Sequence, residues 1–462
     1  MNAIIISALM GVLLMFTSIA TKNKQVINNI ALVALLFLLI CNIADTYNWW
    51  SIKVDTKNMF VFTKFGYFFN SIAIATTLVF VALSGNDIIK IGNYAAEYFV
   101  LIFFVLCGIA ILSSFNNLLM MFLGIEIMSI PLYILTGADK KNLKSNEAAL
   151  KYFLMGSFST GILLMGIALL YGTNGSFDIQ QVMPSQELIK HAPLLEVIGL
   201  VLIFSAMLFK ISAAPFHFWA PDVYDGSPSV FSSFMMTIVK AAGFIALINL
   251  FFYKAESLAH LWRILLFVVI ITTLVIGNIT AVFQQSVKRM MAYSSIAQAG
   301  FMLFALYATN DTAKEGILFY AAAYSLATIG IFAVLARIDD YTLEGYNGLA
   351  KTQPMLAFVN AVCLLSLAGI PLTAGFFAKY YMLAAVIKTG STIGIVLTII
   401  GVLFAAVSAY YYFRVIQAMY FKEGNSKVDN VTPSFKYALL VLAVLVIFFG
   451  ISPDTLISWF YF

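Results

Sequence analysis

Three lysines stand inside apolar runs that would enter a membrane more cheaply without them. Lys210 ends the run LVLIFSAMLFK, five residues before Pro215, and Lys240 lies about twelve residues into the segment that opens at Pro228. Lys379 follows Gly369 and Pro371 in LAGIPLTAGFFAKYYML. At 1.5 Å per residue, twelve residues span roughly 18 Å, near the middle of a ~30 Å hydrocarbon layer. A lysine at that depth costs about 2.5–3.5 kcal/mol, so it faces a polar partner or a water-filled path. Glu126, in LLMMFLGIEIMSIPLYIL, reads as the only carboxylate deep in any apolar segment. The charge of such a carboxylate is tunable by burial and by a nearby lysine. Buried ionisable groups on consecutive segments, beside a proline that breaks one of them, describe an ion pathway.

Secondary candidates flank these four. SNEAALKYF places Glu147 and Lys151 four residues apart, the favoured order for a helical ion pair, with Ser145 or Asn146 as its cap. His217 lies in the interruption SAAPFHFWAPD, a candidate for proton relay. VKRMMAYSSIAQAGF puts Ser294, Ser295 and Gln298 inside an apolar segment, where they can carry hydrogen-bonded waters. Lys288 and Arg289 read as snorkelling residues at a cytoplasmic turn.

Helices of a membrane protein must position these groups. The chain of 462 residues is 62% hydrophobic and 10% charged, whereas soluble domains seldom pass about half apolar. It reads as an all-α polytopic membrane protein of about fourteen transmembrane helices. The segments are 3–20, 27–44, 60–84, 96–114, 117–137, 148–172, 194–213 with a continuation to about 226, 228–253, 259–283, 287–307, 316–337, 353–387, 392–419 and 434–460. The N-terminal MNAIIISALM lacks the basic stretch of a signal peptide and reads as the first segment.

Segments seven and twelve are both broken by proline, at Pro215 and Pro221 and at Pro371. Broken helices in corresponding places point to two inverted five-helix repeats, segments four to eight and nine to thirteen. The chain is then one membrane domain: a three-helix segment over 1–95, repeats over 96–253 and 259–420, and a last helix over 434–460.

Loops after odd-numbered segments hold thirteen Lys and Arg residues. Loops after even-numbered segments hold seven: Lys53, Lys57, Lys190, Lys254, Arg263, Lys314 and Lys388. The positive-inside rule then puts both termini outside a bacterial cytoplasmic (inner) membrane. Trp49, Trp50, Trp219 and Trp459 are expected at the interfaces, with Lys64 as an anchor. Cys41, Cys107 and Cys363 are far apart and read as small buried hydrophobes rather than iron–sulfur ligands. No GxGxxG or CxxC is present, so no cofactor or metal is expected in this chain. The scattered basic residues point away from nucleic acid.

Several ordered motifs add a resemblance. FLGIEIMSIPLYIL, EAALKYFLMGSFSTGILLMGIALLYG, FKISAAPFHFWAPDVYDGSPS, VKAAGFIAL, VKRMMAYSSIAQAGF and LAGIPLTAGFFAKYYML resemble the antiporter-like membrane subunits of respiratory complex I, the bacterial NADH-quinone oxidoreductase. The resemblance is dense from about Asn116 to Tyr381. It implies a proton-translocating role in which Glu126, Lys210, Lys240 and Lys379 match the family's ionisable residues, as do Glu147, Lys151 and His217. It also implies that NADH, FMN, iron–sulfur clusters and quinone belong to partner subunits, and that sibling antiporter-like subunits, membrane lipid and protons are the partners. Many relatives carry histidine where Gln298 stands. Glutamine cannot titrate, so a relay there must use water. The alternatives are a subunit of a multisubunit Na+/H+ exchanger or membrane-bound hydrogenase, and a scaffold whose charges only fix helix packing.

Overall fold

The computed structural model describes every residue except 93, 183–193, 253–258, 430 and 460–462. Lys190 and Lys254 of the loop tally, and the far ends of the segments read to 253 and 460, lie outside the described residues.

Short polar residues start the helices. The side chains of Asn23, Thr63, Asn117, Asn142, Ser286, Asn310, Ser391 and Thr432 each accept a backbone N–H of the first turn, which pairs one of the donors a helix leaves free. The apolar runs between these caps give α1 (Asn2–Ala20), α2 (Lys24–Thr46), α3 (Lys64–Ile91), α4 (Ala95–Leu112), α5 (Leu118–Thr136) and α6 (Leu143–Asn174). Segment seven splits into α7 (Leu194–Lys210) and α8 (Trp219–Gly226). Then come α9 (Ser229–Phe251), α10 (Ala259–Val282), α11 (Val287–Ala308) and α12 (Asp311–Leu335). Segment twelve splits into α13 (Pro354–Ala368) and α14 (Ala374–Ile387), followed by α15 (Thr392–Phe421) and α16 (Pro433–Ile451).

Among the described residues, twelve helices are long and apolar enough to cross a membrane, or thirteen if the bent pair Glu344–Thr352 and Pro354–Ala368 counts as one span. The two expected segments absent from the twelve are the broken ones, whose pieces are individually too short. Each break leaves a non-glycine residue at positive φ, Ser212 at 59° and Leu372 at 71°. The first contains a cis Ala214–Pro215 bond. In the second, Gly369 at φ 85° closes α13, where a side chain would be strained.

The helices pair in the same way in both halves. α4 lies along α5 as α10 lies along α11, and α6 packs on α7 as α12 packs on α14. α9 reaches back to α4 as α15 reaches α10. Asn249 of α9 donates to the carbonyls of Leu112 and Ser113, at 3.2 and 3.1 Å, and so caps the end of α4.

Several sequence expectations are corrected. Segment six is capped by Asn142, not Ser145 or Asn146, because its helix starts one turn earlier; Ser145 instead donates to the Thr136 carbonyl. Trp219 is buried, not interfacial, stacking on Tyr152 with ring centroids 4.8 Å apart. Glu126, itself only half-buried, is not the only enclosed carboxylate in a helix. Asp45 at the end of α2 and Asp87 near the end of α3 are both buried, and Asp87 pairs with Arg337 at 2.5 Å. Helix α3 runs on to Ile91, which brings Asp87 into the bundle. The three cysteines are buried and free.

Candidate functional site

The first cluster forms where α7 ends. Lys210, its last residue, lies partly buried and donates to the Ser129 hydroxyl of α5 at 3.0 Å. Ser129 is three residues beyond Glu126, so the two side chains occupy neighbouring turns of one face. No ion pair within 4.0 Å joins Glu126 to Lys210 among the described residues. The Glu126 carboxyl is instead held by Thr160 of α6, whose hydroxyl donates to Oε1 at 2.8 Å. At the break beyond Lys210 the Phe209 carbonyl accepts both the Ser212 N–H and the Trp219 indole N–H, each at 3.0 Å. His217 is buried in this break with Nδ1 unpartnered, and no hydrogen bond links it to Lys210.

The second cluster surrounds Lys240. A π-helical turn, Met235–Val239, precedes it and rotates the helix at that point. Lys240 is 1% exposed, and its ammonium donates to both the carbonyl and the hydroxyl of Ser295, at 2.9 and 3.0 Å. The Tyr224 ring of α8 lies 5.6 Å from the ammonium. Ser295 belongs to α11, so this contact ties the first half to the second.

The third cluster closes the second break. Lys379 is 6% exposed and donates to the Ala368 carbonyl, the last of α13, at 2.9 Å, and to Ser408 of α15 at 3.3 Å. Gln298 donates to the adjacent Leu367 carbonyl at 3.1 Å and to the Tyr412 hydroxyl at 3.1 Å, and accepts from Tyr320. Ser294 shares a hydrogen with Tyr412 at 2.5 Å. The polar run expected to carry water is therefore bonded largely to protein. A small cavity of about 10 Å³ remains, lined by Gln298, Tyr320, Tyr324, Ser366 and Lys379, enough for about one water. Tyr324 also stands beside Ser295, the partner of Lys240.

Glu147 and Lys151 pair at 2.7 Å, as the sequence indicates, but within a larger set. Lys151 also reaches Asp222 at 3.0 Å, and Arg289 reaches Asp222 at 3.2 Å and Asp225 at 3.9 Å. Lys288 is buried rather than snorkelling and donates to the carbonyls of Asp225 and Ser227. Sequence reading passed over Asp222 and Asp225, although PDVYDGSPS shows two acids three residues apart just past the break. It also passed over Tyr320, Tyr324 and Tyr412, which look like ordinary apolar filler in a one-dimensional string. Among the described residues, no group of three or more His, Cys, Asp or Glu could hold a metal ion.

Comparison with known proteins gives a consistent result. Residues 115–405 match the family model described as NADH:quinone oxidoreductase/Mrp antiporter, TM. The chain is 38% identical to NADH-quinone oxidoreductase subunit N of Flavobacterium psychrophilum, over 99% of this chain and all of that protein. It superposes with a TM-score of 0.84 and 31% identity on a chain of respiratory complex I from Thermus thermophilus with bound Aureothin, covering 99% of each. The Mrp complex from Dietzia sp. shares the fold, with a TM-score of 0.84 at 17% identity over 99% of this chain and 95% of that one. The motifs, the paired broken helices and these likenesses agree: the chain belongs to the NADH:quinone oxidoreductase/Mrp antiporter family, and within it to the subunit N proteins of NADH-quinone oxidoreductase.

Proposed function

We propose that this chain is a proton-translocating membrane subunit of an NADH-quinone oxidoreductase. Electron transfer from NADH to quinone takes place on partner subunits and drives protons through the buried Lys/Glu row. Glu126, Lys210, Lys240 and Lys379 are the proton-transfer groups, with Glu147, Lys151 and His217 in secondary roles. The observation that carries this reading is Lys240, which is buried at the seam of the two halves and bonded only to Ser295 among the described residues. An ammonium with no carboxylate beside it among the described residues is costly in a membrane interior, and a neutral polar side chain could tie the two halves together at less cost.

Glu147 with Lys151 lies near the cytoplasmic entrance and Lys379 nearest the outward exit. This assignment follows from the excess of Lys and Arg in odd-numbered loops, which also puts both termini outside the bacterial inner membrane. The repeats extend over 96–253 and 259–420, between the three-helix segment 1–95 and the helix 434–460. NADH, FMN, iron–sulfur clusters and quinone belong to partner subunits, and the neighbours in the membrane are sibling antiporter-like subunits. Protons and membrane lipid are the other partners, and nucleic acid is not one.

The test replaces Lys240 by alanine in the assembled complex and measures proton uptake per NADH oxidised in reconstituted vesicles. We expect a fall of at least tenfold with the complex intact. Unchanged stoichiometry would remove Lys240 from the path. The breadth of the family model keeps a second reading in view, a subunit of a multisubunit Na+/H+ exchanger. Gentle purification separates the two, since flavin and iron–sulfur subunits accompany the chain only under the first.

A further inference from the structure

Arg414 is a membrane-depth cation that the proton path does not use. It lies on α15, whose 30 residues make a rod of about 45 Å, as long as a bilayer with its headgroups. Arg414 is seven residues before the last, so it sits roughly 10 Å inside that end, at the boundary of hydrocarbon and headgroups. Under the orientation proposed above, on which this inference rests, this end shares its side of the membrane with Lys422, Lys427, Lys288 and Arg289, the richer side in basic residues.

The side chain does not stretch outward to water. Its Nη1 donates to the Val282 carbonyl at the end of α10, at 2.5 Å. Among the described residues no carboxylate lies within 4.0 Å of it. A guanidinium carries five N–H donors in a fork that matches phosphate oxygens. Arg414 and Gln417 line an open cavity of about 460 Å³ with Tyr410, Phe413, Ile416 and Phe421. Toward the membrane centre the same helix exposes Leu403, Val402 and Ile399.

We propose that Arg414 and Gln417 bind the phosphate of an anionic phospholipid whose acyl chains lie along the exposed apolar face of α15. The charge of the pocket selects an anion, and its position at the hydrocarbon boundary matches the depth of a lipid phosphate. Basic pockets between helices on the cytoplasmic side are where anionic headgroups bind. The apolar face below the arginine offers a tail a surface that free phosphate would not use. The Tyr410 ring in the lining is of the kind that settles at headgroup level.

The test uses the whole complex, delipidated in detergent and titrated with phosphatidylglycerol, phosphatidylcholine or inorganic phosphate, with lipid retained on this chain read by native mass spectrometry. We expect retention of phosphatidylglycerol over phosphatidylcholine, weakened at least tenfold by Arg414→Gln and less by Arg414→Lys. Gln417→Leu is expected to weaken it several-fold, which keeps the test open should Arg414→Gln fail to assemble. Retention unchanged in Gln417→Leu and Arg414→Lys, or equal retention of the two lipids, overturns the proposal. Displacement by inorganic phosphate overturns it in favour of a simple anion site. Release of a neighbouring membrane subunit from Arg414→Gln with phosphatidylglycerol retention intact overturns it in favour of a partner's carboxylate.

Discussion

The two helix breaks use the same proline device and dispose of their freed backbone differently. At the first, the lysine precedes the break and turns away from it, to Ser129 on α5, the helix that carries Glu126; the Ser212 N–H and the Trp219 indole take the Phe209 carbonyl. At the second, the lysine follows the break and folds back onto it, so that Lys379 and Gln298 take the carbonyls of Ala368 and Leu367. One lysine is therefore held by a hydroxyl on the helix that carries Glu126. The other rests on fixed dipoles at the negative end of a half-helix. A carboxylate that shifts by a few ångströms can act as a switch, whereas a helix end is a permanent bias. Under the function proposed above, the first half is the responsive one and the second the fixed one.

That contrast can be broken at three levels of effect. The largest comes from removing the lysines. Lys210→Ala and Lys379→Ala should each lower proton pumping per electron more than tenfold while the complex still assembles. Normal pumping by either variant in vesicles would take that break out of the path. Next comes the carboxylate. Glu126→Gln should slow turnover several-fold and Glu126→Asp less, because aspartate keeps the charge and misplaces it; identical rates for the two would show that charge at Glu126 does not matter. The smallest effects concern the freed carbonyls. Gln298→Leu leaves the buried Leu367 carbonyl without its donor, a cost of about 1–3 kcal/mol, whereas Trp219→Phe removes only one of two donors, since the Ser212 N–H still reaches the Phe209 carbonyl at 3.0 Å. Both should lower the melting temperature. Only Gln298→Leu, which also alters the cavity beside Lys379, should disturb pumping, and an equal loss in Trp219→Phe would erase the distinction.

The features legible in the sequence are those that one segment encodes by itself. Each buried lysine, each proline break and the pair Glu147–Lys151 show up because an ionisable or helix-breaking residue in an apolar run is anomalous locally. What stayed hidden depends on distant parts of the chain meeting. The Ser295 contact of Lys240 joins residues 55 apart in sequence, and Asp222 gains its meaning only from Lys151 and Arg289 on other helices. Trp219 was misplaced for the same reason, since an indole near a helix break reads as interfacial until its stacking partner Tyr152 is known. Fourteen segments are readable from hydropathy, but two of them are split, and among the described residues twelve or thirteen helices meet the length for a crossing.

The Asp87–Arg337 pair has a consequence for how this chain could be shortened. The two residues lie 250 positions apart, on the three-helix segment and at the end of α12, and both are buried, with Arg337 also 4.6 Å from the Phe435 ring. Deleting the first three helices would strand a guanidinium in an apolar interior, and losing one partner of a buried pair costs about 3–5 kcal/mol. A trimmed version of the protein would therefore have to neutralise position 337 at the same time. The three leading helices are thus fastened to α12 as well as to α4, along which α1 packs, and are not a removable preface.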